Sequence, residues 1–132
     1  MGEEMPHMKI QHVALSVSDI GKSGPWYQNL FGFDKVAEFA DPPLQIYMTP
    51  DGQALDLRQD PGVKAGRFDI TNLGLDHLAF VCADAGELDY WKARIAELGI
   101  ENSGVEESPF GKHLNFRDPD GIALEFYLPA AK

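Results

Sequence analysis

Two histidines and two acids occupy repeated surroundings in this chain. His12 lies in "IQHVALSV" and His77 in "LDHLAFVC", while Asp56 follows "PDGQAL" and Glu125 follows "PDGIAL". Imidazole and carboxylate side chains can move protons near neutral pH, and the same two groups are nitrogen and oxygen donors for divalent cations. Taken singly, a histidine on an apolar strand is most often a hydrogen-bonded packing residue, and an acid near a strand end is most often solvated or paired with an arginine such as Arg58 or Arg117. Four such residues at duplicated positions are a different matter. Burying several polar groups together is costly unless something satisfies them, and a divalent cation does so by binding neutral imidazoles and neutralising carboxylates.

The elements that must position these residues are legible in an internal repeat. His12 and His77 share one offset with Trp26 and Trp91, and Pro50, Asp51 and Asp56 share a slightly longer one with Pro119, Asp120 and Glu125. The difference between the two offsets belongs to loops. In each copy an alternating strand (10–17; 75–82) precedes a helical stretch, "GPWYQNLFG" or "AGELDYWKARIAELG", that Gly32 or Gly99 stops. Three short strands follow, near 34–40, 44–49 and 53–59 in the first copy and 101–106, 112–117 and 122–128 in the second. Each "PDG" is a turn signal, since proline presets the first turn angle and glycine tolerates positive φ. The expected fold is therefore α+β, two βαβββ modules over 9–60 and 74–129, with 61–73 as linker, a loose tail over 1–8 and a single domain over 9–132.

Strand alternation assigns faces. His12, Ala14 and Ser16 share one face, opposite Val13, Leu15 and Val17, which should lie under the helix; His77, Ala79 and Val81 stand likewise opposite Leu78, Phe80 and Cys82. Asp56 and Glu125 point the same way as the histidines, with Leu55, Leu57, Leu124 and Phe126 on the helix side. On the open face of the second module His113, Asn115, Arg117 and Tyr127 should line a pocket. Their first-module counterparts are Leu44, Ile46 and Met48, so one wall is polar and the other apolar. That suggests a mostly apolar ligand with one anionic or oxygen-rich end for Arg117.

Composition limits the partners. The 132 residues carry 21 acidic against 11 basic side chains, a formal charge of −10, which should repel nucleic acid and anionic membrane surfaces. No apolar run is long enough to span a bilayer, and "MGEEMPHMKI" lacks the positive start of a secretory signal. The single cysteine, Cys82, can form no internal disulfide. A cytoplasmic protein is expected.

At "GLDHLAF" (74–80) and "FRDPDGIALEF" (116–126) the chain resembles the vicinal oxygen chelate superfamily, which includes glyoxalase I, fosfomycin-resistance and bleomycin-resistance proteins, methylmalonyl-CoA epimerase and extradiol dioxygenases. The resemblance spans residues 10–128. It implies paired βαβββ modules curled into an open cup, with a divalent metal (zinc, nickel, manganese, cobalt or ferrous iron) held by His12, Asp56, His77 and Glu125. It also implies Glu125 as ligand and proton carrier. Asp56 is shorter than the glutamate or glutamine found at that place, which leaves three roles for it: a ligand on a shifted strand, a general base beside the cation, or a structural residue paired with Arg58. Ser16 and Asp60 stand where glyoxalase I carries glutathione-binding residues, Ala14 where fosfomycin enzymes carry threonine, and Asn115 where extradiol enzymes carry tyrosine; no branch fits throughout.

Two functions follow. One is a metal-dependent lyase, isomerase or dioxygenase acting on a small oxygen-chelating metabolite; the other is sequestration of an apolar metabolite or antibiotic without catalysis. Open sheet edges and the resemblance both lead to a homodimer, with sites built within a chain or between subunits.

Overall fold

A computed structural model describes residues 4–64 and 66–131. The chain divides between Val63 and Lys64 into two compact units. The first contains β1 (His12–Ser16), α1 (Ile20–Phe31), β2 (Asp34–Ala40), β3 (Pro43–Met48) and β4 (Ala54–Arg58). The second contains β5 (Leu78–Val81), α2 (Ala85–Glu97), β6 (Asn102–Ser108), β7 (Gly111–Arg117) and β8 (Ala123–Pro129). Both units are βαβββ, and the fold class is α+β. The strand orders are β1-β4-β3-β2 and β5-β8-β7-β6, so each sheet is mixed: its first strand runs parallel to its last, and the other neighbours are antiparallel.

The first strands are shorter than the alternation suggests. β5 begins at Leu78 because its first partner on β8 is Leu124, which leaves Leu75, Asp76 and His77 as an unpaired approach to the sheet. Helix α1 starts earlier than the glycine and proline of "GPWYQNLFG" imply. Asp19 caps it, accepting from the Gly21 amide at 3.0 Å, and Pro25 lies inside the helix. The missing proline N–H removes one helical hydrogen bond, which packing of the apolar face outweighs. Gly32 ends α1 in the left-handed region, with φ 71, as its lack of a Cβ permits. Asp84 caps α2 by accepting from the Glu87 amide at 2.9 Å.

Each unit buries one sheet face under its helix. Leu15, Val17, Leu55 and Leu57 are buried in the first, as are Leu114, Phe116, Leu124 and Phe126 in the second. Trp91 of α2 stacks on Phe126 with centroids 5.0 Å apart. Burial of each such side chain contributes on the order of 1.5–3 kcal/mol. One helix-side contact is polar and was not foreseen. Gln45 and Tyr47 of β3 lie buried beneath α1, with the Tyr47 hydroxyl donating to Gln45 Oε1 at 2.5 Å. Gly24 of the helix makes room for them, since a Cβ there would stand 2.1 Å from Gln45 Oε1.

Residues 4–8 are exposed and form no regular element; positions 1–3 of the expected tail lie outside the described residues. Among the described residues, no helix is long and apolar enough to cross a membrane.

Candidate active site

The open face of each sheet carries the residues singled out by type and spacing. Parallel pairing puts Ala14 opposite Asp56 in the first unit and Ala79 opposite Glu125 in the second. Each acid therefore sits diagonally from its histidine, two positions along: His12 at the start of β1, and His77 just ahead of β5. In the second unit that geometry closes: His77 Nε2 lies 3.8 Å from Glu125 Oε2. In the first unit no such contact forms. His12 and Asp56 make no approach within 4 Å, as expected of a carboxylate one methylene shorter on the same diagonal.

The two imidazoles are held alike. His12 Nδ1 lies 2.6 Å from Gln11 Oε1, and His77 Nδ1 lies 2.7 Å from Asp76 Oδ1. An oxygen acceptor at Nδ1 selects the tautomer that carries the proton there, which leaves the Nε2 lone pair free for a ligand. Gln11 and Asp76 escaped the sequence reading, although each directly precedes its histidine in both copies of the repeat.

The acids differ in their surroundings. Antiparallel pairing sets Ile46 beside Asp56 but Asn115 beside Glu125. Oδ1 of Asp56 is buried with no hydrogen-bond partner. Arg58, a candidate partner for Asp56, instead bonds Asp60 at 3.2 Å; it follows Asp56 by two positions on the strand, but its exposed guanidinium turns to the strand end. A buried carboxylate oxygen left unpaired costs on the order of 1–3 kcal/mol, more when charged.

In the second unit, a cleft of about 720 Å³ is lined in part by Arg67, Asp76, His77, Asn115, Arg117 and Glu125. β7 alternates as expected, with Leu114 and Phe116 buried, His113 and Asn115 half-buried and Arg117 exposed. Asn115 and Arg117 reach this cleft. His113 and Tyr127 are paired neighbours farther along β7 and β8, outside its lining, and the Tyr127 hydroxyl donates to the Phe110 carbonyl at 2.8 Å. Met48 lies half-buried at the end of β3 in the first unit. Arg67 belongs to the segment read as a linker, where no periodicity marks it.

Within each unit the side chains are of types that can ligate a divalent cation: His77 with Glu125 beside it in the second, and His12 with the orphaned Asp56 oxygen in the first. Among the described residues, no three histidine, cysteine, aspartate or glutamate side chains gather into one cluster able to hold a metal ion. What the structure brings together is one histidine with one acid in the second unit, and the matching but wider pair in the first.

Two βαβββ units, each setting a histidine and an acid on the open face of a mixed sheet, define a paired-module α+β protein. The chain belongs to the Glyoxalase/Bleomycin resistance protein/Dioxygenase superfamily, whose family model matches residues 9–126. It is 31% identical over 124 residues to the uncharacterized protein YwkD of Bacillus subtilis (strain 168), covering 89% of this chain and 94% of that protein. It is also 43% identical over 49 residues to the putative ring-cleaving dioxygenase MhqA of the same organism, a match covering 37% of this chain and 16% of that protein. Among solved structures, a glyoxylase/bleomycin resistance protein/dioxygenase domain from Frankia sp. EAN1pec superposes with a TM-score of 0.86 at 33% identity, covering 95% of this chain and 100% of that one.

Proposed function

We propose that the chain is a divalent-metal-dependent enzyme acting on a small metabolite that presents two adjacent oxygens. The observation that carries this reading is the repeated imidazole arrangement, Nδ1 engaged by the preceding side chain and Nε2 left open. His12, His77 and Glu125 would hold the cation, with Asp56 as a further ligand or as a base. A bound divalent cation supplies Lewis-acid polarisation of a substrate oxygen and stabilises negative charge developing there. Glu125, partly sheltered with its side chain 15% exposed, would take or return a proton on a substrate in the cleft. Asp56 has an oxygen with no competing hydrogen bond, as a general base requires. Asn115, paired in register with Glu125, offers an amide to orient a substrate oxygen. The reaction class, lyase, isomerase or dioxygenase, follows from which proton or bond the substrate presents to these groups.

A second reading, sequestration of an apolar ligand without catalysis, draws on Leu44, Ile46 and Met48, half-buried on the open face of β3. Metal analysis of protein purified without added metal separates the two. A stoichiometric ion that disappears in His77→Ala supports the enzyme; a metal-free protein that binds apolar ligands supports sequestration and overturns the first reading. A homodimer in the cytoplasm belongs to the same proposal, supported by two open sheets with unpaired edge strands and a buried free thiol. Sedimentation showing monomer alone at micromolar concentration would exclude the dimer.

A further inference from the structure

Arg67 and Arg117 converge on one residue. Arg117 Nη1 donates to the Gly121 carbonyl at 2.7 Å, while Arg67 Nη2 lies 2.9 Å from the place a Cβ on Gly121 would occupy. Gly121 closes the second "PDG" turn with φ 83, and its missing side chain is what lets the Arg67 guanidinium settle there. The approach is anchored. Arg67 Nη1 reaches the Pro119 carbonyl at 3.4 Å, and the next amide, Phe68 N–H, donates to the Asp120 carbonyl at 2.9 Å. A segment outside the sheet is thereby fastened to the β7–β8 turn, with its arginine beside the arginine that ends β7.

Both side chains are exposed and both line the cleft that holds His77 and Glu125. Among the described residues, neither forms an ion pair; their only hydrogen bonds go to main-chain carbonyls. Two guanidinium groups next to one glycine repel one another. They keep most of their ten N–H donors for something else, and the chemistry that satisfies both is an anionic oxygen group bridging the two forks. The cleft also contains Asp76, Glu101, Asp118 and Glu125, so a freely diffusing anion would not be drawn in by net charge. The geometry points to a local clamp instead.

We infer that Arg67 and Arg117 form an anion clamp that seats a carboxylate or phosphate group of the substrate at one end of the cleft and presents the adjoining carbon to His77 and Glu125. The inference rests on the reading of this cleft as the substrate site and gives that site a substrate class, acidic metabolites. It makes Arg67 a specificity-determining residue.

The test is an NMR titration of the protein as purified with malonate and, separately, with inorganic phosphate, following the backbone amide of Gly121 and the arginine side-chain N–H signals. Saturable shifts at Gly121, Arg67 and Arg117 are expected with at least one of the two probes, and which one responds assigns carboxylate or phosphate. Arg67→Ala should weaken that binding roughly tenfold or more, because it removes charge-assisted hydrogen bonds, and Arg67→Lys should recover part of it. Metal content should be unchanged in Arg67→Ala. The dependence on Arg67 should also persist in His77→Ala, which isolates the clamp from the metal proposal. Shifts confined to other residues, or equal affinity in wild type and Arg67→Ala, would overturn the clamp whatever the metal analysis gives.

Discussion

Asp56 and Glu125 occupy the same place in their sheets, each opposite an alanine on the parallel strand and each diagonal to a histidine, yet only Glu125 comes within 4 Å of its imidazole. One methylene separates the two outcomes. The longer side chain reaches its partner, and the shorter one leaves an oxygen buried and unbonded.

Asp56→Ala should therefore make the metal-free protein more stable, by about 1–3 kcal/mol, because an unsatisfied buried oxygen is removed. Urea denaturation of metal-stripped protein reads this as a higher midpoint at unchanged slope. A lower midpoint would mean that Asp56 supports the fold in some other way. Asp56→Asn keeps the size and removes the charge: lost turnover with metal retained assigns a base, and weakened metal binding assigns a ligand.

His77→Ala should abolish most divalent-metal affinity, since one imidazole donor disappears and Glu125 loses its neighbour. Isothermal titration with zinc is the direct measurement. Affinity equal to wild type would remove His77 from the ligand set.

Asp76→Ala tests how the imidazole is held. With the 2.7 Å partner of Nδ1 gone, the ring is free to change tautomer and orientation, and metal affinity should fall roughly 10–100-fold. Imidazole nitrogen shifts in the metal-free protein offer a second readout, in which His77 should lose its single-tautomer signature. Fixed shifts and full affinity would make the Asp76 contact incidental.

Gly24→Ala should destabilise the first unit by about 1–3 kcal/mol, since the new methyl would fall 2.1 Å from Gln45 Oε1 and 2.9 Å from the Tyr47 hydroxyl. Thermal unfolding checks this. No loss would show that the buried amide can swing aside.

Burial, with smaller contributions from the Glu87 and Asp84 charges, pushes the Cys82 thiol up from its ordinary value. The folded chain then holds its thiol proton more tightly than the unfolded chain does. Stability from this group is complete below the unfolded thiol's pKa and is lost as pH rises through the folded one. Cys82 should react with a thiol reagent far more slowly in native protein than in denaturant at pH 8. Equal rates would contradict its burial.

The repeat, the element order and the sidedness of the strands were legible in the sequence because they rest on local physics. Alternation sent Leu15, Val17, Leu124 and Phe126 inward and His12 and Asn115 outward, and the "PDG" turns demanded glycine. Strand limits were less legible, because where β5 begins depends on where β8 can pair with it. Tertiary structure alone decided that Glu125 meets His77 while Asp56 Oδ1 is left without a hydrogen-bond partner, that Gln45 is buried beneath a glycine of α1, and that Arg67 folds back beside Arg117. Each of these depends on distances of a few ångströms between residues far apart in the chain, and residue order carries type and period but no such distance.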